Sequence, residues 1–368
     1  MRIGLNLLYL IPGIVGGTET YAAGLLAGLA KINSGDQFVI FVNRESENWP
    51  LPDAPNFTRV VCPVRAASRA RRYFYEQVRL PGLLKAHGID LVHSLGSVAP
   101  LFPPCPSVLT VPDVSFRACG DQIPLVRRLP LKFFTQQAAL RANSIITISN
   151  FARSQIAVEF GIPLVQITVT HLADSAILAD DTSLAAVMQR YGIKRPYIVA
   201  FSSFSPYKNI PRLLQAFTRA RRDYALPHQL VLLGHRVAGE RKDPQTRGVV
   251  FTGFVDGASK HALLKGADLL VFPSTYEGFG LPVLEAQQAG VPVVCSRAAS
   301  LPEVAGEAAI YFDPLSIDAM AKAIGQVAQT PDLRKTLIQN GFQNAAKFSW
   351  EQTARLTLAV YRKTVTLE

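Results

Sequence analysis

The chain has 368 residues, of which 49% are hydrophobic and 18% charged, and a formal net charge of +11. At about 150 residues per domain, this length sets a prior of two to three domains, each able to bury its own core. The composition is globular rather than disordered, and no apolar run approaches the roughly 18 residues of a membrane span.

Residues 2–8 read as the first strand, and the apolar stretch running on to Gly17 has the outline of a signal peptide. Asn6 and Pro12 interrupt it, its basic end is a single Arg, and no clean small-residue cleavage site follows, so it is read as structure. A helix over 18–31 comes next. Strands follow at 38–42, 90–93, 107–111 and 144–148, with helices at 72–86, 124–142 and 151–160 between them. These strands are apolar throughout, as a parallel sheet covered on both faces requires. A polar stretch over 174–195, containing Asp180, Asp181 and Gly192 and followed by Pro196, marks a join. The pattern then restarts, with strands at 197–201, 229–233, 249–252, 268–272 and 292–295 and helices at 210–219, 281–289 and 317–328. Two such series predict an α/β protein of two doubly wound, Rossmann-like domains. The first spans 1–175 and is completed by a C-terminal helix over 350–368; the second spans 176–349. Ser349, with Gln352 three residues on, forms a capping box for that last helix. In open α/β sheets ligands bind outside the carboxyl ends of strands, so a cleft between the domains is the expected site.

The four cysteines, Cys62, Cys105, Cys119 and Cys295, stand apart with no C-x-x-C pair, as buried thiols do in a reducing, cytoplasmic compartment. None lies at zinc-ligand spacing, and there is no D-x-D triplet or histidine cluster, so no metal is expected. Positive charge concentrates where Arg65, Arg69, Arg71, Arg72 and Arg79 interleave with Tyr73, Phe74 and Tyr75. At helical spacing Arg65, Arg69, Arg72 and Arg79 share a face, with Phe74 and Val78 on another. That fits a helix lying on an anionic membrane surface, or a solvated face packed on its domain. A second cluster, Arg127, Arg128 and Lys132 beside Leu129, Leu131, Phe133 and Phe134, favours the membrane. Nucleic acid is not an expected partner, since no recognition motif is present. His93 closes a strand toward the cleft, where it either touches ligand or is satisfied within the core.

The densest chemistry lies in Tyr276-Glu277-Gly278-Phe279-Gly280-Leu281-Pro282-Val283-Leu284-Glu285, which follows a buried strand through Pro273-Ser274-Thr275. Two glycines permit close backbone approach, and Pro282 fits the first turn of a helix. Unpaired N–H groups at that helix start would face a diphosphate. A carboxylate can accept two sugar hydroxyls, which suits Glu277 to a hexose and Glu285 to a ribose. The plainer alternatives are a helix-capping Glu277 and a surface Glu285.

With these residues the chain resembles the retaining glycosyltransferases of family 4, which have the GT-B fold. The likeness runs through FPSTYEGFGLPVLEAQQAGVPVVCS and LPEVAGEAAIYFDP, through Gly16-Gly17-Thr18-Glu19 opening the first helix, and through Ser205-Pro206-Tyr207-Lys208-Asn209-Ile210. It continues in the turn Gly253-Phe254-Val255 and in Phe348-Ser349-Trp350. The resemblance implies a nucleotide-sugar donor and a sugar acceptor. Lys208 would neutralise the donor diphosphate, and the Gly16-Gly17 backbone would approach it from the other domain. Glu277, with Gly278, Phe279, Gly280 and Leu281, would hold sugar and phosphates, and Glu285 the ribose. Gly253, Phe254 and Val255 would meet the base through main chain. The family often has His-Asp where this chain has Pro112-Asp113, so Asp113 either orients an acceptor hydroxyl or caps the following turn. Ser202 and Ser203 stand where many members have Gly-Arg, leaving Lys208 as the main cation, with Arg212 or His235 as substitutes. Taken together, the resemblance implies transfer of a hexose, mannose first, to a lipid-linked or oligosaccharide acceptor in surface polysaccharide synthesis at the inner face of the cell membrane. A sugar-nucleotide epimerase of the same architecture and a catalytically impaired family member are the alternatives.

Overall fold

The computed structural model of the protein describes residues 1–32, 34–115, 125–174, 182–203, 205–234 and 247–366, with backbone alone over 125–128. Strands β1 (Arg2–Leu7), β2 (Gln37–Val42), β3 (Phe57–Val61), β4 (Leu91–Ser94), β5 (Ser107–Thr110), β6 (Ser144–Thr147) and β7 (Ile167–Val169) occupy the first part of the chain. They alternate with helices α1 (Gly17–Ile32), α2 (Arg69–Val78), α3 (Leu80–Ala86), α4 (Leu125–Arg141) and α5 (Asn150–Phe160). The second series has β8 (Tyr197–Ser202), β9 (Gln229–Gly234), β10 (Val249–Gly253), β11 (Leu269–Phe272), β12 (Val293–Ser296) and β13 (Ala309–Phe312). Its helices are α6 (Leu184–Tyr191), α7 (Ile210–Asp223), α8 (Gly257–Lys265), α9 (Leu281–Gln288), α10 (Leu301–Ala305), α11 (Ile317–Gln329) and α12 (Pro331–Ala345), and α13 (Trp350–Thr366) ends the chain.

Two compact units result, one of Met1–Ala173 with Ser349–Glu368, the other of Asp174–Phe348. Each is built on a parallel sheet, in the order β3-β2-β1-β4-β5-β6-β7 in the first and β10-β9-β8-β11-β12-β13 in the second. Strand order reverses between β1 and β4 and between β8 and β11, and such switch points are where doubly wound sheets bind ligands. The central strands are buried from end to end, as their unbroken apolar runs foretell. In the second unit, Phe217, Leu213 and Ile324 from α7 and α11 pack on Ile198, Leu230 and Val271 of the sheet.

In the first unit α13 lies along α1. Gly24 and Gly28 make room for it, since a Cβ at Gly24 would enter the Trp350 ring and one at Gly28 would overlap the Trp350 carbonyl oxygen. Ser349 Oγ accepts from Gln352 N–H at 3.1 Å, so the serine caps α13. Met1 N and the Arg362 guanidinium both meet Asp36, tying the two ends of the chain to one carboxylate.

The structure departs from the sequence pattern in places. A single helix over 72–86 is expected, but Pro81 has no N–H to give and the chain breaks at Arg79 into α2 and α3. Strands β3, β7 and β13 go unpredicted: Thr58 and Arg59 interrupt β3, β7 has 3 residues, and β13 is an edge strand only half-buried at Ile310 and Tyr311. Among the described cysteines Cys62 and Cys295 are buried and Cys105 half-buried, and burial raises the Cys62 thiol to about 11. Cys119, Asp180, Asp181, His235 and the side chains of Arg127 and Arg128 lie outside the described residues. Among the described residues no helix is long and apolar enough to cross a membrane.

Candidate active site

At the switch point of the second unit, β8 and β11 each hand the chain to a loop bearing one charged side chain. After β8, Ser203 Oγ accepts from Ser205 N–H at 3.2 Å, a 3-10 turn spans Pro206–Lys208, and Asn209 adopts the left-handed conformation with φ 59°. Asn209 Nδ2 then donates to Pro273 O at 3.1 Å and to Pro314 O at 2.7 Å, while Thr275 N–H donates to Tyr207 O at 2.8 Å. These bonds stitch the turn to the loop after β11 and bring Lys208 Nζ to 2.6 Å from Glu277 Oε1. The two side chains are 16% and 14% exposed, shielded enough to strengthen the pair and open enough to meet a ligand. The Lys208 ammonium also stands 5.0 Å from the centre of the Phe272 ring.

Glu277 opens the glycine turn. Ser300 Oγ reaches the carbonyls of Glu277 at 2.9 Å and Phe279 at 2.7 Å, and buried Phe279 meets Phe348 edge to face with ring centres 5.9 Å apart. Gly280 has φ 105°, and a Cβ there would sit 2.6 Å from Leu301 Cδ2, so both backbone and space call for glycine. It is the N-cap of α9 and has no side chain to cap the first turn, where Pro282 carries no N–H and Val283 N–H donates to Gly280 O at 2.9 Å, leaving the Leu281 N–H without an intrahelical partner. With the helix dipole behind it, this N–H suits a diphosphate oxygen.

Glu285 lies in the second turn of α9. Its Oε1 accepts from Lys260 Nζ at 2.7 Å, while its buried Oε2 has no partner among the described residues. Lys260 belongs to α8, which Asp256 caps by accepting from Ser259 N–H at 2.8 Å. Just before that cap, β10 ends at Gly253 with φ 69° and open space where a Cβ would be, followed by exposed Phe254 and half-buried Val255.

Of the residues expected at the site, Ser203, Lys208, Glu277, Gly278, Phe279, Gly280 and Leu281 therefore gather at one switch point, with Glu285 further along the same helix. Gly253, Phe254 and Val255 form the turn leading to the helix that pairs with Glu285. Gly16, Gly17 and Asp113 belong to the first unit. Gly16 has φ 58° and α1 starts at Gly17, where a Cβ would meet nothing within 4 Å. Asp113 Oδ1 accepts from Ser115 N–H at 2.8 Å, the turn-capping role. Arg212 donates to Asn209 Oδ1 at 3.1 Å and braces the Asn209 turn. Lys260 is absent from the motifs, and its only advance signal is the Asp256 cap that starts a helix before it.

His93 takes the second of its two readings, satisfied within the core: it is fully buried, with Nδ1 2.6 Å from Tyr361 Oη and Nε2 2.7 Å from Thr110 Oγ1, and burial lowers its pKa to about 3. Arg72 does not belong to a basic surface face. It is 8% exposed, its guanidinium lies over the Tyr73 ring, and its Nε stands 3.6 Å from Glu76 Oε2. Arg65 precedes α2, and the exposed residues of that helix are Arg69, Ala70, Arg71, Phe74 and Val78.

Two doubly wound parallel-sheet units with a phosphate-suited helix start define the GT-B class of glycosyltransferases. The family models described as Glycosyl transferases group 1 and Glycosyltransferase Family 4 match residues 187–344 and 15–173. The chain is 34% identical over 266 residues to O-antigen chain mannosyltransferase B of Escherichia coli, covering 70% of each chain. It is 32% identical over 257 residues to the MMP alpha-(1->4)-mannosyltransferase of Mycolicibacterium hassiacum, covering 66% of this chain and 59% of that one. Sucrose-phosphate synthase from Thermosynechococcus elongatus shares the fold with a TM-score of 0.73 over all of both chains at 20% identity. Anabaena Alr3699/HepE in complex with UDP-glucose shares it at 0.72 over 98% of this chain and 100% of that one, at 17% identity. The chain belongs to the family 4, group 1 glycosyltransferases.

Proposed function

We propose that this glycosyltransferase transfers mannose, with retention of configuration and without a metal, from a nucleotide-diphosphate donor to a lipid-linked acceptor in surface polysaccharide synthesis. GDP-mannose is the first donor to test. The mannose reading is supported by the names of the relatives, among them the serotype-specific mannosyltransferase WbdA of Escherichia coli, of which this chain spans about a third. The observation that carries the donor reading is the Lys208–Glu277 pair beside the uncapped start of α9.

When the bond between the anomeric carbon and the diphosphate oxygen breaks, negative charge develops on the leaving group. The Lys208 ammonium and the Leu281 N–H at the start of α9 receive it, which supports a transfer needing little reorganisation. The acceptor oxygen bonds to the anomeric carbon, and its proton passes to the leaving phosphate. Glu277, held by Lys208, accepts sugar hydroxyls, and Glu285 accepts from the ribose.

The acceptor side of the proposal rests on the first unit. A cavity of about 840 Å³ there is lined by Ile11, Ala70, Tyr73, Phe74, Pro130 and Phe134, with Arg69 among them. Exposed Arg65, Arg71 and Arg79 stand on the same stretch. Apolar lining beside arginines suits a lipid phosphate held at the cytoplasmic face of an anionic membrane.

Thermal unfolding with UDP, GDP, ADP and dTDP, each with and without EDTA, tests the donor reading. A ligand at about a hundred times its dissociation constant adds roughly 2.7 kcal/mol. A shift with GDP alone, retained in EDTA, is expected. A shift only without EDTA overturns the metal-free mechanism, and none with any nucleotide points to an impaired member.

A further inference from the structure

The Lys260–Glu285 pair is built differently from an ordinary ion pair between neighbouring helices. The side chains are 28% and 16% exposed, and one carboxylate oxygen is held at 2.7 Å. The other is buried with no partner among the described residues. Leaving a buried polar atom unpaired costs more than a solvent-exposed ion pair returns. A pair serving stability alone gains nothing from presenting Oε2 in this way. A pair that orients a carboxylate for an incoming hydroxyl does, because the ligand supplies the missing donor. The glutamate has three rotatable bonds, and Lys260 fixes the end of them.

We propose that Lys260 is a positioning residue for the donor's ribose. By holding Oε1 of Glu285 it aims Oε2 at one ribose hydroxyl, and so sets how strongly the enzyme prefers a ribonucleotide to its deoxy form. This rests on the reading of Glu285 as the ribose carboxylate. Lys260 comes from α8 and Glu285 from α9, so the grip depends on two helices that flank β11 in sequence, and the G-F-V turn opens directly into the helix that delivers the lysine.

The test is calorimetric binding of GDP, UDP and their 2′-deoxy and 3′-deoxy forms to the full chain. Wild type is expected to bind the ribonucleotide about tenfold more tightly than one of the deoxy forms. Lys260→Met should bring that ratio to within twofold of one while leaving the affinity for the deoxy form unchanged, and Lys260→Arg should restore most of the preference. If Lys260→Met weakens ribo and deoxy forms equally, or leaves the ratio intact while Glu285→Gln collapses it, the lysine is not the positioning residue and the donor reading stands. If Glu285→Gln changes neither affinity nor ratio, or if neither nucleotide binds wild type, the donor reading fails and takes this inference with it.

Discussion

The two sheets share one strand order, to which the first adds β7 at its edge, yet their switch points are finished in opposite ways. In the second unit the loops after β8 and β11 carry a lysine and a glutamate that hold each other across the entrance to a helix. In the first unit the polar residues of β1 and β4 are consumed internally. Asn6 Nδ2 donates to Glu76 at 3.3 Å and to Ser94 at 3.2 Å, and His93 is locked between Tyr361 and Thr110. Tyr21 extends that chain to Thr110 at 3.1 Å. The fold thus provides two equivalent positions, and side-chain choice makes one a candidate binding site and the other a brace for α13.

The comparison breaks most visibly if the lysine at the open end is dispensable. Lys208→Ala removes the charge facing the leaving group and is expected to lower kcat by about 10²–10³, the range for one preorganised donor. Melting temperature should change little, since the pair is partly solvated. Glu277→Ala should lower turnover more than nucleotide affinity, and Glu285→Ala the reverse, which steady-state kinetics and calorimetry separate. Wild-type kinetics in either variant removes that residue from the site.

At the braced end the largest effect is steric. Gly28→Ala drives a methyl against the Trp350 carbonyl, a backbone atom that cannot swing aside, so α13 must lift from α1. Overpacking of this kind costs about 1–3 kcal/mol, readable as a lower denaturation midpoint. Exposed Gly82, where a Cβ meets nothing within 4 Å, is the control site for the same change.

Two buried groups give the first unit a pH signature. Burial lowers His93 to about 3, below its ordinary 6.5, so it contributes stability that is intact above pH 6.5 and lost as pH falls toward 3. Burial raises Glu76 to about 7 against the pull of Arg72, so stability is lost as pH climbs from 4.5 through 7. Each slope is about 1.4 kcal/mol per pH unit for one proton. Between pH 4.5 and 6.5 the two oppose each other. Denaturation across pH should show His93→Gln flattening the acid limb and Glu76→Gln the limb above 6.5, whatever each variant does to overall stability.

Much of this was legible in sequence, for identifiable reasons. Parallel central strands are apolar on both faces, so the two series stand out, and glycine with proline at a helix start writes the turn before α9 into the chain. Pairing is less legible. Nothing in Lys260 distinguishes it from a solvated lysine until α8 and α9 are placed, and His93 looks ligand-facing until Tyr361, 268 residues away, closes on it. Arg72 misled because helical spacing shows which residues share a face but not which way that face turns.

If the first unit meets an anionic membrane, the arginines that matter are the exposed ones, Arg65, Arg69, Arg71 and Arg79. Each contributes about 1 kcal/mol near a charged surface, so Arg65→Glu with Arg71→Glu should greatly weaken binding to phosphatidylglycerol-containing vesicles while melting temperature holds. Arg72→Glu should do the opposite. It places a second carboxylate beside buried Glu76, so the loss falls on folding, and whatever protein survives should bind vesicles as wild type does. Co-sedimentation and unfolding on the same preparations separate the two outcomes. If Arg72→Glu lost vesicle binding at full stability, the face assigned here would be the wrong one. If the double variant bound as wild type does, the arginines would be a solvated surface and the acceptor would have to be sought without a membrane.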